Sequence, residues 1–335
     1  MPINKITKGG HMKSQHILIS LFLLIIILGC AKAEKKILII FSYHPEYPWV
    51  VKETAGAEDV LKDKGIMIEK FYLDTKRHTD SEWWENIAYK AVNKIDEFKP
   101  DIVIVFDDNA CQLVAKKYIG KNLPFVFSGM NAEPEDYGFP AENITGVIER
   151  HHIKESIELL RKLVPDAKKC AIITDSSQTS MGFLNGIKGI EYPIEICEFY
   201  TINDFIEWKE KVNELQSKVD AIGLFTYHTI KKKDEELSLP PEEVLQWTLE
   251  NNKLPEFALL DFAIQNGALC GVALSVSEQG KAAAEIALRI LEGTKPIDIP
   301  IKCPEKGNSI INQKRAKELN IKIPDDLVEE VEVIN

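Results

Sequence analysis

Six polar and aromatic segments, each placed directly after a short apolar run, hold the side chains of this sequence that could do chemistry. They are Ser42-Tyr43-His44-Pro45-Glu46-Tyr47-Pro48-Trp49, Asp107-Asp108-Asn109, Ser128-Gly129-Met130-Asn131, Thr174-Asp175-Ser176-Ser177-Gln178, Thr226-Tyr227-His228-Thr229 and Leu260-Asp261-Phe262. Aromatic rings beside carboxylates, hydroxyls and amides suit a pocket that stacks on a planar group and hydrogen-bonds its polar ends. Bond-making chemistry has little support. The serines lack the G-x-S-x-G setting of a hydrolase elbow, no G-x-G-x-x-G follows the first apolar run, and no Walker sequence occurs. His151-His152 lacks the spacing of a zinc-binding H-E-x-x-H and reads as a solvated pair at a crossover. Asp108 and Ser176 or Ser177 also fit the N-caps of following helices, which leaves a bound group within reach of free N–H donors. No metal or cofactor is expected.

The apolar runs that must position these segments are Lys36–Phe41, Ile68–Leu73, Ile102–Phe106, Pro124–Phe127, Cys170–Thr174, Ile194–Tyr200, Ala221–Phe225, Phe257–Leu260 and Ala268–Leu274. Continuous β-branched stretches such as Ile102-Val103-Ile104-Val105 suit strands covered on both faces. Between them lie amphipathic segments. Thr79-x-x-Glu82 is a capping box opening a helix over Ser81–Phe98, and Ser275-x-x-Glu278 opens another that Gly293 closes. Further helices are expected over Ile153–Val164 and Asp204–Leu215. Alternating strands and helices predict an α/β fold with parallel sheets. The pattern restarts after Asn143–Glu149, which reads as an extended crossover, so two doubly wound parallel-sheet lobes joined by a hinge are expected rather than one sheet of nine strands. In such sheets a ligand binds past the carboxyl ends of the strands, which is where all six segments fall.

Composition narrows the setting. The chain has 335 residues, 45% of them hydrophobic and 28% charged, with a net charge of −11. An acidic balance argues against nucleic acid as a partner. Lysines at 5, 8 and 13 precede an apolar run over Ile17–Gly29 that is short for a bilayer span, and Cys30 follows it. Cys30 in this position resembles the acylated cysteine of bacterial lipoprotein signals. The expectation is a signal peptide over 1–29, lipidation at Cys30, and a mature chain outside the cytoplasm, anchored to a bacterial membrane. Of the six cysteines, none forms a C-x-x-C pair. Buried thiols are expected at 170, 197 and 270, with a Cys170–Cys197 bridge as the alternative.

Two stretches carry a family likeness. One is Asp261–Pro300, with Gly267-Ala268-Leu269, Gln279-Gly280-Lys281, Ala284, Ala287, Ile290-Leu291-Glu292-Gly293, Lys295-Pro296 and Ile299-Pro300; the other runs from Asn312-Gln313-Lys314-Arg315 to Ile321-Lys322-Ile323-Pro324. Both resemble the ABC-transporter substrate-binding lipoproteins of the tryptophan/tyrosine-type group. That resemblance implies a type I periplasmic-binding-protein fold crossed three times by the chain, a small-molecule ligand, and a membrane permease with its ATPase as partners. It implies no enzyme activity. Asn320 stands where the family usually has glycine, and Asn also enters the left-handed region. The aromatic first loop is closer to extracellular sensor domains of signalling proteins, so a ligand-sensing receptor for a membrane partner is the alternative.

With that fold, lobe one is expected over 30–145 plus about 275–295, and lobe two over 146–274 plus about 296–335. The ligand is expected to be an amino acid or similar small zwitterion, aromatic ones included. Tyr43 and Trp49 would stack on it. Asp107 or Asp108, with Asp261, would accept from its ammonium. Ser128, Asn131 and the helix start Ser176-Ser177-Gln178 would hold a carboxylate or amide. Ser42, His44, Asn109, Gly129, Tyr227 and His228 complete the candidate lining.

Overall fold

The computed structural model describes Met1, residues 34–303 apart from the Cys197 side chain, and residues 307–335. The signal segment with Cys30, and the Cys197 half of the Cys170–Cys197 alternative, lie outside what it describes. No helix among the described residues is long and apolar enough to cross a membrane.

The first half of the chain runs β1 (Lys35–Phe41), α1 (Pro48–Leu61), β2 (Ile66–Tyr72), α2 (Ser81–Phe98), β3 (Ile102–Phe106), α3 (Asp107–Leu113), β4 (Phe125–Met130) and β5 (Ile144–Ile148). Its five strands form one sheet in the order β2-β1-β3-β4-β5. Side chains along β1 alternate between two cores: Ile37, Ile39 and Phe41 face one side, Leu38 and Ile40 the other. Both faces are therefore covered, as the β-branched run in β3 requires. The segment Asn143–Glu149 is not a bare crossover: its centre is β5, a parallel edge strand paired to β4. The helix over Ser81–Phe98 forms with the expected bounds, but its cap is Asp80, whose side chain accepts from the Trp83 amide, and not Thr79.

The second half runs α4 (Ile153–Leu163), β6 (Lys169–Thr174), α5 (Gln178–Gly186), β7 (Glu195–Thr201), α6 (Phe205–Leu215), β8 (Ala221–Leu224), α7 (Pro241–Asn251), β9 (Glu256–Ala258), α8 (Asp261–Gln265) and β10 (Cys270–Leu274). Helix α9 (Val276–Leu291) follows, then β11 (Gly307–Asn312), α10 (Gln313–Glu318), α11 (Asp325–Val328) and β12 (Glu332–Ile334). The second sheet has the order β12-β11-β10-β9-β8-β6-β7. It departs from an all-parallel sheet at β11, which runs antiparallel to β10.

Helix α9 packs on α1. At the contact, a Cβ on Gly280 would stand 2.1 Å from the Glu53 carbonyl and one on Gly56 would stand 2.0 Å from that of Ser277, so only glycine allows the approach. The chain stays beside the first sheet through Lys302, whose carbonyl accepts from the Ile148 amide at 2.9 Å. Its return to the second sheet therefore comes after Lys302, later than the boundary near 296 expected from sequence. Asn320 is left-handed at φ 57°, as its place in the glycine position requires.

Candidate functional site

The carboxyl ends of β1, β3, β4, β5 and β6 meet in a cleft between the two sheets. Two backbone positions build its first-lobe wall. Asp107, at the junction of β3 and α3, holds φ +67°, a left-handed conformation costly for a residue with a Cβ and often found at functional sites. Gly129, φ +69°, sits in the irregular end of β4, where the register with β5 shifts between Phe127 and Met130. A Cβ there would come within 3.0 Å of Asp107 Oδ1 and 3.1 Å of Glu53 Oε1. Gly129 thus serves as the hollow that two carboxyl groups occupy.

Around this hollow lies a buried acidic group. Asp107 is 2% exposed and Glu53 fully buried. Glu53 Oε1 accepts from Trp49 Nε1 at 2.8 Å, but Glu53 Oε2 and Asp107 Oδ2 are buried without any partner. Glu149, just past β5, contacts His151 Nε2 at 2.9 Å and accepts from Asn131 Nδ2 at 3.4 Å. Burial, with repulsion from Glu149 and Asp108, pushes the Asp107 carboxyl well above its ordinary range. Burial and the charges of Asp107 and Glu149 do the same to Glu53. Among the described residues no three His, Cys, Asp or Glu side chains are grouped to hold a metal ion. The arrangement fits a hydrogen-bond-donating cation, such as an ammonium group, that needs two or three carboxylate acceptors.

Across the cleft, Asp175 at the end of β6 has the opposite character. Its Oδ1 accepts from Ser180 Oγ at 2.8 Å, Thr226 Oγ1 at 2.7 Å and the Ser177 amide at 3.1 Å. Its Oδ2 accepts from the amides of His228 and Thr229 at 2.8 and 3.1 Å. Although burial opposes it, the nearby Lys76 cation and these donors hold the Asp175 carboxyl well below the usual carboxylate range. Lys76 is 3% exposed, donates to Ser177 Oγ at 3.3 Å and lies 5.0 Å from the Tyr43 ring centre. Burial lowers its pKa.

The lobes touch across this cleft. Tyr43 OH bonds Thr179 Oγ1 at 2.8 Å, Gln178 Nε2 donates to Tyr137 OH at 3.3 Å, and Lys52 on α1 pairs with Asp261 on α8. The half-open cavity at this contact, lined by Tyr43, Tyr47, Trp49, Asp107, Glu149 and Thr226 among others, has a volume of about 20 Å³. That is room for roughly one water, so an organic guest enters only with the lobes parted. Gly182 on α5 permits the closure: a Cβ there would stand 2.6 Å from the Ala132 amide of the first lobe. Gly182→Ala should hold the lobes apart. The expected result is ligand affinity lowered about tenfold, an unchanged melting temperature without ligand, and a larger radius of gyration by X-ray scattering with ligand. Unchanged scattering with ligand would contradict it.

The sequence candidates divide accordingly. Tyr43, Trp49, Asp107 and Asn131 line the cavity at the lobe contact. His44 and His228 line a second, adjoining one. Ser177 and Gln178 stand at the lobe contact through Lys76 and Tyr137. Others serve the scaffold. Ser42 Oγ donates to the Phe106 carbonyl and accepts from the Ala110 amide. Asp108 turns away from the cleft and accepts from the amides of Asn131 and Ala132 and from Tyr137 OH. Ser128 donates to Gln279, and exposed Ser176 pairs with Asn203. Asn109 is buried in α3, and Tyr227 stacks behind His228 at 4.6 Å. Asp261 is engaged by Lys52, with Oδ1 left over.

Sequence reasoning missed Glu53, Lys76, Glu149, His151 and Thr179, and named Thr226 only as part of its segment. His151 is not solvated: its side chain is 1% exposed, edge-on to Phe225 at 4.5 Å. Tyr47, fixed between Pro45 and Pro48 and 4% exposed, is central, packing edge-to-face on Tyr43 and His228.

Two α/β lobes closing over a buried polar cleft define a clamp-type solute receptor. The family model for ABC transporter substrate binding proteins matches residues 41–334, and this chain belongs to that family. It is 24% identical over 288 residues to the "Tyrosine-binding protein" of Clostridioides difficile (strain R20291), covering 82% of this chain and 79% of that one. Among solved structures it resembles an ABC domain in complex with L-Trp from Streptococcus pneumonia, with TM-score 0.72 and 22% identity, covering 90% of this chain and 100% of that one. It also resembles a ligand-free, open substrate binding protein with adhesive properties from Clostridium difficile, with TM-score 0.64 and 18% identity, covering 90% and 99%. The fold is that of the type I periplasmic binding proteins.

Proposed function

We propose that this protein captures an amino acid, preferentially an aromatic one, outside the cytoplasm and delivers it to an ABC permease and its ATPase. The observation that carries this reading is the pair of unpartnered, buried carboxyl oxygens, Asp107 Oδ2 and Glu53 Oε2, beside a cavity walled by Tyr43, Tyr47 and Trp49. Leaving such atoms unbonded costs free energy, which a guest ammonium recovers. Lys76 and Thr179 offer a cation and a hydroxyl in the same cavity for the ligand carboxylate. The names of the relatives support the ligand class, and membership of the family supports the permease. Cys30, acylated, would tether the mature chain to the membrane. The ligand favours the closed form because only that form contacts it from both lobes.

Isothermal titration calorimetry on the chain lacking residues 1–30, against amino acids, purines and sugars, tests the reading. Heat with phenylalanine, tyrosine or tryptophan is the expected result. Heat with a sugar alone would remove the amino-acid assignment. Mass spectrometry of the membrane-extracted protein checks the lipid: an unmodified Cys30 would exclude the anchor.

A further inference from the structure

Between β8 and α7 the chain makes a long excursion, residues 225–240, that is tied to the second lobe near both ends. The Lys231 amide donates to the Asn203 carbonyl at 2.7 Å and the Phe205 amide to the Lys231 carbonyl at 2.9 Å. The Leu239 amide donates to the Ile230 carbonyl at 2.8 Å and closes the loop on itself. Lys231 Nζ donates to the Glu236 carbonyl at 2.6 Å and braces the span between. The strap so formed reaches the first lobe. Leu237 pairs with His78 in an isolated antiparallel bridge, and the Ser238 amide donates to the Arg77 carbonyl at 3.2 Å. We propose that this bridge is a backbone clasp that holds the two lobes shut and sets how fast a guest enters and leaves the cleft. The inference goes beyond the amino-acid reading, because a clasp acts on a guest of any chemistry.

The first-lobe side of the clasp is built as a rigid edge. The His78 amide donates to the Asp74 carbonyl at 3.2 Å. Trp83 Nε1 donates to the Leu73 carbonyl at 2.9 Å and Trp84 Nε1 to the His78 carbonyl at 2.8 Å. The His78 ring lies flat on Trp83, 3.7 Å between centres, and Arg77 Nε donates to Asp74 Oδ1 at 2.8 Å. The tryptophan pair that opens α2 thus fixes the edge that the strap meets. An edge and a strap already ordered lose little freedom when they pair. The lobe contacts described above, Tyr43 with Thr179, Gln178 with Tyr137 and Lys52 with Asp261, join side chains that can rotate away one at a time. The clasp joins main chains, so it breaks only when the strap lifts or the lobes part. Protein atoms alone make it, so it acts with the cleft full or empty.

The test uses the chain lacking residues 1–30, since residues 36–335 form one compact unit. Directly opposed residues of an antiparallel pair lie close enough for a disulfide, so His78→Cys with Leu237→Cys locks the clasp, and each single variant is the control. The thiol pair should oxidise without ligand. Oxidation before tyrosine is added should slow its association at least 100-fold, oxidation afterwards should slow its dissociation at least 100-fold, and reductant should reverse both. Ser238→Pro removes the amide donor. It should speed tyrosine dissociation about tenfold and enlarge the ligand-free radius of gyration by X-ray scattering. Failure of the thiol pair to oxidise, or equal exchange rates in the oxidised and reduced chains, would overturn the clasp while the amino-acid reading stands. Absence of heat with tyrosine, phenylalanine and tryptophan would overturn that reading instead. The scattering comparison then decides the clasp alone, and equal radii for Ser238→Pro and wild type would overturn it.

Discussion

Asp107→Asn should lose ligand affinity by about 100-fold or more and, without ligand, should melt a few degrees above the wild type. The two effects share one cause. Asp107 is a buried carboxyl whose Oδ2 has no partner, placed among Glu53, Glu149 and Asp108. Truncating one side of a buried charged pair costs about 2–5 kcal/mol of binding, and about 2.7 kcal/mol is 100-fold. In the unliganded protein burial and repulsion from Glu149 and Asp108 outweigh the attraction of the Lys76 cation for the same charge. Asn keeps the size of the side chain and is among the few residues that tolerate φ near +67°, so the exchange removes repulsion with little backbone penalty. Relief of about 1 kcal/mol raises the melting temperature by some 2–4 °C in a domain of 150–250 residues.

The pH dependence follows with its sign. Asp107 and Glu53 have folded pKa values above their unfolded ones, and Asp108 is pushed up to about 6 mainly by burial. Groups shifted upward bind protons more tightly in the folded state, so their contribution to stability is present at low pH and lost as pH rises through the folded values. The unliganded protein should therefore gain stability as pH falls through the folded values, about 6 for Asp108, while affinity for an ammonium falls as protons compete for the Asp107 and Glu53 carboxylates. Asp107→Asn should flatten both slopes. Melting curves and calorimetry at pH 5, 6 and 7 check this. A wild-type affinity that does not fall toward pH 5 would show that these carboxyls do not meet the ligand.

How far the sequence revealed this site depended on which physical signal each residue left. Strand ends were readable because unbroken runs such as Ile102–Phe106 can only be buried strands, and the residues after them then fall at the mouth of the sheet. Which of two neighbours faces the cleft was not readable. Asp107 and Asp108 are equivalent as letters, and the left-handed turn at Asp107 decides that one enters the cavity while the other binds backbone amides behind it. Glu149 and His151 were missed for one reason: Asn143–Glu149 has the alternation of a crossover, and only its pairing to β4 makes it a strand whose carboxyl end reaches the site. Glu53 left the faint signal of following Trp49 by one helical turn, on a face whose burial is imposed by the distant helix α9.

Asp175→Asn provides the contrast, because it should cost about 3 kcal/mol where Asp107→Asn costs nothing. The two aspartates stand at the ends of β6 and β3, and both are buried to 2% exposure or less. They differ in partners. Asp175 accepts from five donors divided between its two oxygens. Asn has one acceptor oxygen, and its NH₂ must face either the His228 and Thr229 amides or the hydroxyls of Ser180 and Thr226. Buried hydrogen bonds to a charged group contribute about 1.5–3 kcal/mol each, and orphaned donors add their desolvation penalty. Because the Asp175 pKa is depressed, its contribution is present above the unfolded value near 4 and lost as pH falls below it. Urea unfolding should therefore show the full loss at pH 7 and a much smaller one near pH 2. Binding should weaken as well, since Thr226, Ser177 and His228 are held in place by this carboxylate. Equal stability of Asp175→Asn and wild type at pH 7 would contradict the division of labour, in which one lobe keeps its aspartate satisfied as scaffold and the other keeps its aspartate unsatisfied for a guest.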